Sequence, residues 1–226
     1  MIVLSLGGST INPGKPDVSY IRKLASLLVK LNKREPIAIV VGGGSVARDY
    51  AKAARELGAN EFLADETAVI STHQNAMLLV CALGESAYPR VPRDFEQAAE
   101  AALLGKIVVM GGTIPGITTD GDSALLAEKL GARRLVNISN VSGIFDSDPR
   151  KNKNAKKLAR MDFAQLIELA NCSDDRKAGT NFVFDLFACK IIARSRIETH
   201  FVSGKELNEV EKAIKGEKHG GSIVGE

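Results

Sequence analysis

Ile2-Val3-Leu4-Ser5-Leu6-Gly7-Gly8-Ser9 opens the chain, and Ile37-Ala38-Ile39-Val40-Val41-Gly42-Gly43-Gly44-Ser45 follows the same grammar further along. In each, a short β-rich run ends in glycines and a helical pattern begins beyond them. A run as continuously apolar as the second is what a strand covered on both faces of a parallel sheet requires. Glycine at the turn lets backbone N–H groups approach a ligand closely, and a helix start adds partial positive charge. One such turn is often only geometry. Two of them, joined by Gly111-Gly112-Thr113 and Thr118-Thr119-Asp120, describe a site for more than one phosphate.

The alternation continues outward from these stretches. A helix is expected after Asp17, with Ile21, Leu24, Leu28 and Leu31 on one face, and another over Ser45–Leu57, stopped by Gly58. A third is expected from near Asp65 to about Leu83. Asp94-Phe95-Glu96-Gln97 and Asp162-Phe163-Ala164-Gln165 read as capping boxes, the first opening a helix that ends at Gly105. Strands are expected at Ile107–Met110, Leu135–Ile138 and Thr199–Val202, and helices at Ser123–Leu130, Val183–Ala193 and Glu206–Ile214. The pattern predicts an α/β fold, a three-layer αβα sandwich with a mainly parallel central sheet, in a single domain over residues 1–226. In such sheets ligands bind at the carboxyl ends of strands, where every Gly-rich segment here falls.

Composition narrows the function classes. With 226 residues, 45% hydrophobic and 25% charged, the chain reads as an ordinary globular protein. A net charge of +3 is too small to imply nucleic acid, and the local run Lys151-Asn152-Lys153-Asn154-Ala155-Lys156-Lys157 reads as a solvated loop. The 3 cysteines, Cys81, Cys172 and Cys189, lack metal or redox spacing and are expected to be reduced thiols. The 3 histidines, His73, His200 and His219, are scattered without ligand spacing, so no metal site is expected. No signal peptide is expected at the start, and Ala76–Leu83 is far short of the ~20 residues of a membrane span. A cytoplasmic location, with neither membrane nor nucleic-acid partner, is the expectation. Neither a P-loop nor a dinucleotide fingerprint is present, and no Ser/His/Asp or Cys/His constellation stands out.

Phosphoryl transfer needs donors around phosphates, cations against developing charge, and two substrates held in line. Gly7, Gly8 and Ser9 offer amides and a hydroxyl. Gly42, Gly43, Gly44 and Ser45 offer more, with Arg48 one turn into the following helix as a phosphate ligand. Thr113-Ile114-Pro115-Gly116-Ile117-Thr118-Thr119-Asp120 is dense in hydroxyls and suits an oxygen-rich acceptor, with Asp120 also available to cap the next helix.

Together these segments resemble the amino-acid kinase superfamily and, within it, the archaeal uridylate (UMP) kinases. The likeness runs in order through Gly7-Gly8-Ser9, Val40-Val41-Gly42-Gly43-Gly44 with Arg48, Met110-Gly111-Gly112-Thr113 and Thr118-Thr119-Asp120. It continues through Asn140-Val141-Ser142-Gly143-Ile144-Phe145 with Asp148-Pro149, and Val183-Phe184-Asp185 leading to Ala188-Cys189-Lys190. The resemblance implies ATP as donor, carrying Mg²⁺, UMP as acceptor, and a homohexamer. It implies an N-terminal part mainly for the acceptor and dimer contacts, and a C-terminal part mainly for ATP. It places Gly8, Ser9, Gly44 and Arg48 on ATP, with Ser139, Phe145 and Asp148 around its base and ribose. Gly43, Asp65 and the loop Thr113, Ile114, Pro115, Gly116, Ile117, Thr118, Thr119 fall to UMP, and Asp120 organises the charges at the transfer site.

Two positions depart from the wider pattern. The family often carries lysine two residues before the first Gly-Gly, where this chain has Ser5; Lys177, with Mg²⁺ on ATP, is the expected substitute. Members that phosphorylate carboxylates usually carry lysine where Asp185 stands, so Asp185, grouped with Asp120 and Lys177 as catalytic, points to the UMP branch. The rival readings are a kinase for isopentenyl phosphate or an N-acetyl amino acid, and a nucleotide-binding protein without turnover.

Overall fold

Continuous burial, with side chains entering two cores alternately, builds the centre of the sheet. The structure, a computed structural model, describes residues 1–147, 152–174 and 184–226. Its elements run β1 (Ile2–Leu6), α1 (Gly8–Ile11), α2 (Val18–Asn32), β2 (Ile37–Val41), α3 (Gly44–Glu56), α4 (Glu61–Leu83), α5 (Phe95–Ala102) and β3 (Val108–Met110). They continue α6 (Thr119–Lys129), β4 (Arg134–Ser139), β5 (Arg160–Met161), α7 (Phe163–Asp174), α8 (Leu186–Arg194), β6 (Glu198–Ser203), α9 (Leu207–Lys215) and β7 (Ser222–Val224). Ile2, Leu4, Leu6, Ile37, Ile39 and Val41 enter one core with α2, α4 and α9. Val3, Ala38 and Val40 point the other way, into a second core with α5, α6, α7 and α8. That is the three-layer sandwich, with no polar stripe on either inner strand.

The sheet order is β3-β2-β1-β4-β6-β7-β5. β1 pairs in parallel with both β2 and β4, Ile2 lying opposite Ile37 and Arg134. β7 pairs antiparallel with β6 and β5 pairs parallel with β7, so these two edge strands run against the other five. The chain leaves β1 in one direction through β2 and β3, then returns to its other side with β4. A crevice therefore opens beyond β1 and β4, where the crossovers diverge.

Local chemistry sets the helix ends. Asp17, Asp94 and Asp162 accept the backbone N–H groups of Tyr20 at 2.9 Å, Gln97 at 2.8 Å and Gln165 at 2.8 Å. Three expectations are corrected. α4 begins at Glu61, not near Asp65, because Asn60 Oδ1 accepts the N–H of Leu63 at 3.0 Å. α6 begins at Thr119 rather than Ser123, and its cap is Thr118, whose Oγ1 accepts from Gly121 N–H at 3.1 Å, not Asp120. The helix expected from Val183 begins at Leu186, capped by Asp185, and Val183 itself lies outside the described residues.

Among the described residues no helix is long and apolar enough to cross a membrane. Cys81 is exposed and Cys189 buried, both free thiols; the side chain of Cys172 lies outside the description.

Candidate active site

The crevice is built by two glycine turns pressed together. Gly7 N–H donates to Ile138 O and Gly42 N–H to Leu6 O, each at 2.8 Å, so strand pairing carries one residue past β1 and β2 before the chain turns. A Cβ on Gly8 would fall well inside contact distance of the Gly42 carbonyl and the Gly44 amide. Gly44 adopts φ +68°, a region a side chain disfavours. Helix α3 opens on Gly43 without any side-chain cap, which leaves its first-turn amides without partners among the described residues. The hydroxyls of Thr10 and Ser45 are buried nearby, also without partners.

Two cavities meet at these turns. The first, about 280 Å³, is lined by Ser5, Gly7, Gly8, Ser9 and Thr10, by Asp120 and Asn137, and by Ser139, Asn140, Val141, Gly143 and Ile144. The second, about 600 Å³, is lined by Arg55, Asp65, Ala68, Val69, Thr72, Gly112 and the run Pro115, Gly116, Ile117, Thr118, Thr119. Gly43, Gly44, Arg48 and Thr119 line both. Among the described residues Arg48 has no hydrogen bond or ion pair. An unpaired guanidinium and free helix amides on the common wall form a site where negative charge is stabilised from both sides.

Three carboxylates stand behind this wall. Asp120 Oδ1 accepts from Ser5 Oγ at 2.9 Å and from Asn137 Nδ2 at 3.2 Å. Burial pushes its pKa up to about 7, against the lowering effect of the Ser5 bond and with added repulsion from Asp185. Asp122 is fully buried and accepts both the Thr113 N–H at 3.1 Å and its Oγ1–H at 2.6 Å. Burial pushes Asp122 up to about 6, opposed by those two bonds and assisted by Asp185. Asp185 caps α8 by accepting the Ala188 N–H at 2.8 Å, and it also accepts the Thr118 hydroxyl.

The loop after β3 is held from α4 at both ends. Thr72 Oγ1 accepts the Gly112 N–H at 2.7 Å, and His73 Nε2–H donates to Gly112 O at 2.8 Å. Further on, Asp65 Oδ2 accepts the Gly116 N–H at 3.1 Å.

Most residues expected from sequence converge here. Gly8, Ser9, Gly44, Arg48, Ser139 and Asp120 line the first cavity, and Gly43, Asp65 and Pro115 through Thr119 the second. Thr113 does not line either cavity, because its amide and hydroxyl are committed to Asp122, and Ile114 is 55% exposed. Asp185 lines neither cavity and meets the second only through Thr118, whose hydroxyl it accepts. Phe145 lines neither cavity and pairs with Lys157, whose ammonium lies 5.8 Å from its ring centroid. Asp148 and Lys177 lie outside the described residues. The sequence reading missed Asn137, Asp122, Thr72, His73 and Asn75, and took Ser5 as a gap where it is Asp120's partner.

Residues 1–203 match the amino acid kinase family. The chain belongs to the amino acid kinase family. Among relatives in that family, uridylate kinase of Thermococcus kodakarensis is 48% identical over 99% of this chain and 98% of its own. Uridylate kinase of Pyrococcus abyssi is likewise 48% identical, with the same coverage. The crystal structure of uridylate kinase from Archaeoglobus fulgidus superposes with a TM-score of 0.88 at 42% identity, covering 99% of both chains. A UMP kinase structure from Bacillus anthracis shares the fold, with a TM-score of 0.82 at 21% identity. The paired glycine turns and the converging cavities are thus features of an amino acid kinase chain matched along its whole length.

Proposed function

We propose that this amino acid kinase is a UMP kinase, transferring the γ-phosphoryl group of ATP to UMP to give ADP and UDP. The observation that carries the reading is the wall common to the two cavities, on which Gly43, Gly44, Arg48 and Thr119 stand. A donor in the first cavity and an acceptor in the second would bring their phosphates together there. The whole-length relatives named uridylate kinase supply the acceptor's identity.

The acceptor phosphate of UMP is already an anionic nucleophile, so no general base is required. Catalysis is then alignment and electrostatic stabilisation. Gly8, Ser9, Gly44 and Ser139 hold the ATP phosphates and ribose, with Asp148 assigned towards the base by likeness to the family. Gly43, Asp65 and the run from Pro115 to Thr119 hold UMP, and Arg48 neutralises charge on the phosphate in flight, with Lys177 as a second cation. Among the described residues the second cavity takes its lining from residues 43–119, which supports the assignment of the N-terminal part to the acceptor. Among the described residues Asp120 is the one carboxylate on the first cavity's wall, a donor that suits Mg²⁺ arriving on ATP as part of the substrate. The ion would supply further neutralisation of the triphosphate.

The protein is further proposed to work in the cytoplasm as a homo-oligomer, a homohexamer by likeness to the family. Tyr50, Leu57, Phe62 and Ile70 on and beside α3 and α4 are 61%, 88%, 61% and 56% exposed, an apolar face that assembly would cover. Light scattering of the purified protein reads the state directly. The activity is tested by ADP formation from Mg·ATP with UMP, CMP, isopentenyl phosphate or N-acetylglutamate. Turnover with UMP supports the reading, turnover only with another acceptor reassigns the second cavity, and silence with all four supports a non-catalytic binder.

A further inference from the structure

Asn75 lies on α4, is 2% exposed and lines neither cavity. Its amide has no freedom of orientation. Nδ2 donates to Gly42 O at 2.9 Å and to Gly43 O at 3.2 Å, and carbonyl partners admit only the NH₂ end. Oδ1 accepts from Asn12 Nδ2 at 3.1 Å. Asn12, 6% exposed, closes α1, and its own backbone N–H donates to Gly8 O at 2.8 Å. The Gly8 carbonyl, Asn12, Asn75 and the Gly42 and Gly43 carbonyls thus form one buried chain that ties the two glycine turns together.

Peptide planarity gives that chain a consequence at the site. In a trans peptide the C=O of one residue points opposite to the N–H of the next. Drawing the Gly42 and Gly43 carbonyls towards α4 therefore turns the Gly43 and Gly44 amides away from α4. Those two residues stand on the wall common to both cavities. If the carbonyls swung the other way, they would present partial negative charge to phosphate.

We infer that Asn75 is a positioning residue for phosphoryl transfer: its amide, braced by Asn12, holds the Gly42 and Gly43 carbonyls back and so aims the Gly43 and Gly44 amides at the line where donor and acceptor meet. This rests on the assignment of the two cavities to donor and acceptor given above.

Asn75→Asp keeps the shape and replaces the two donors with an acceptor oxygen facing two carbonyls. Its kcat and KM values with Mg·ATP and UMP are compared with wild type, alongside calorimetric binding of a non-hydrolysable ATP analogue without acceptor. Thr199→Val is the control. Thr199 is buried at the start of β6, bonded through its hydroxyl to Ile197 O at 2.9 Å, and takes no part in the site. Asn75→Asp should lose about tenfold to a hundredfold in kcat and about tenfold in analogue affinity, while Thr199→Val stays within about twofold in both. A folded Asn75→Asp within about threefold of wild type in both readouts overturns the inference, as does an equal loss in Thr199→Val.

Should Asn75→Asp fail to fold, Asn12→Ala decides. It leaves both Asn75 donors and removes only their brace, so a kcat loss of about threefold to tenfold supports the inference and unchanged kinetics and affinity overturn it. A wild-type protein that bound the analogue but made no ADP with UMP would defeat the acceptor assignment. The analogue affinities of the variants would still decide the role of Asn75.

Discussion

Ser5 Oγ donates to Asp120 Oδ1 across 2.9 Å, joining the middle of β1 to the first turn of α6 beneath the donor cavity. The bond favours the ionised carboxylate, whereas burial and the nearby Asp185 favour the neutral acid, and the balance leaves Asp120 near neutrality, at about 7. A lysine at position 5 would hold the same carboxylate charged. A serine leaves its state open to pH.

The pH–rate profile of the proposed kinase should therefore show an acidic limb near pH 7, if the ionised Asp120 organises the charges at transfer. Ser5→Ala removes the bond that lowers the pKa and should move that limb upwards. A limb that stays in place in Ser5→Ala would dissociate it from Asp120.

Stability should respond to the same carboxyl with a definite sign. Its pKa is higher folded, about 7, than the ordinary value of 3.8, so its contribution is intact below pH 3.8 and is lost as pH rises through about 7. Asp120→Asn, permanently neutral, should gain up to about 4 kcal/mol over wild type at pH 8, roughly 8–16 °C in Tm, and less than about 1 kcal/mol at pH 4. Thermal melts at the two pH values check this. An equal gain at both would mean that packing, not charge, is responsible.

Asp65 lines the second cavity and not the first, and already holds the Gly116 amide of its loop. Asp65→Ala should raise KM for UMP by about tenfold or more and leave KM for ATP within about twofold. Initial-rate kinetics with each substrate varied in turn measures both. Parallel changes in the two constants would remove Asp65 from the acceptor side.

Arg48 differs in lining both cavities with a side chain that has no partner among the described residues. Arg48→Gln should lower kcat/KM for both substrates by about a hundredfold, chiefly through kcat. Because no ion pair is broken, Tm should stay within about a degree or two of wild type. A loss confined to one substrate would place the guanidinium on that side only.

Gly8→Ala puts a methyl group against the Gly42 carbonyl and the Gly44 amide, both backbone, which cannot rotate aside. The turns must separate, with a stability loss of about 2 kcal/mol or more and loss of detectable ATP binding. Calorimetric titration with ATP reads the second effect. Wild-type affinity in this variant would show that the turns do not need their close approach.

What the sequence disclosed depended on how locally each feature is encoded. β1 and β2 were legible to the residue because their apolar runs stop abruptly at glycine. α4 was placed four residues late because Asn60 caps it from outside the apolar pattern. β5 and β7, of 2 and 3 residues, are too short to show a period and form only because the sheet edge offers them a partner. In the site, backbone-built parts such as Gly8, Gly43 and Gly44 were visible as turn chemistry. Asn75, Asn137 and Asp122 were not, since a single polar side chain inside a helix or strand has no spacing to announce it. Thr113 illustrates the converse: a hydroxyl in a promising loop whose bonds are spent on Asp122.

With donor and acceptor placed as proposed, the common wall of the two cavities leaves neither substrate a pocket of its own at its phosphate end. A single compound joining adenosine to uridine through a chain of phosphates would thread from one cavity into the other past Gly43, Gly44, Arg48 and Thr119. It would collect both halves of the recognition surface after losing the freedom of only one molecule. This geometry lends itself to a bisubstrate inhibitor, and the length of its phosphate bridge would serve as a ruler for the distance between the two nucleosides.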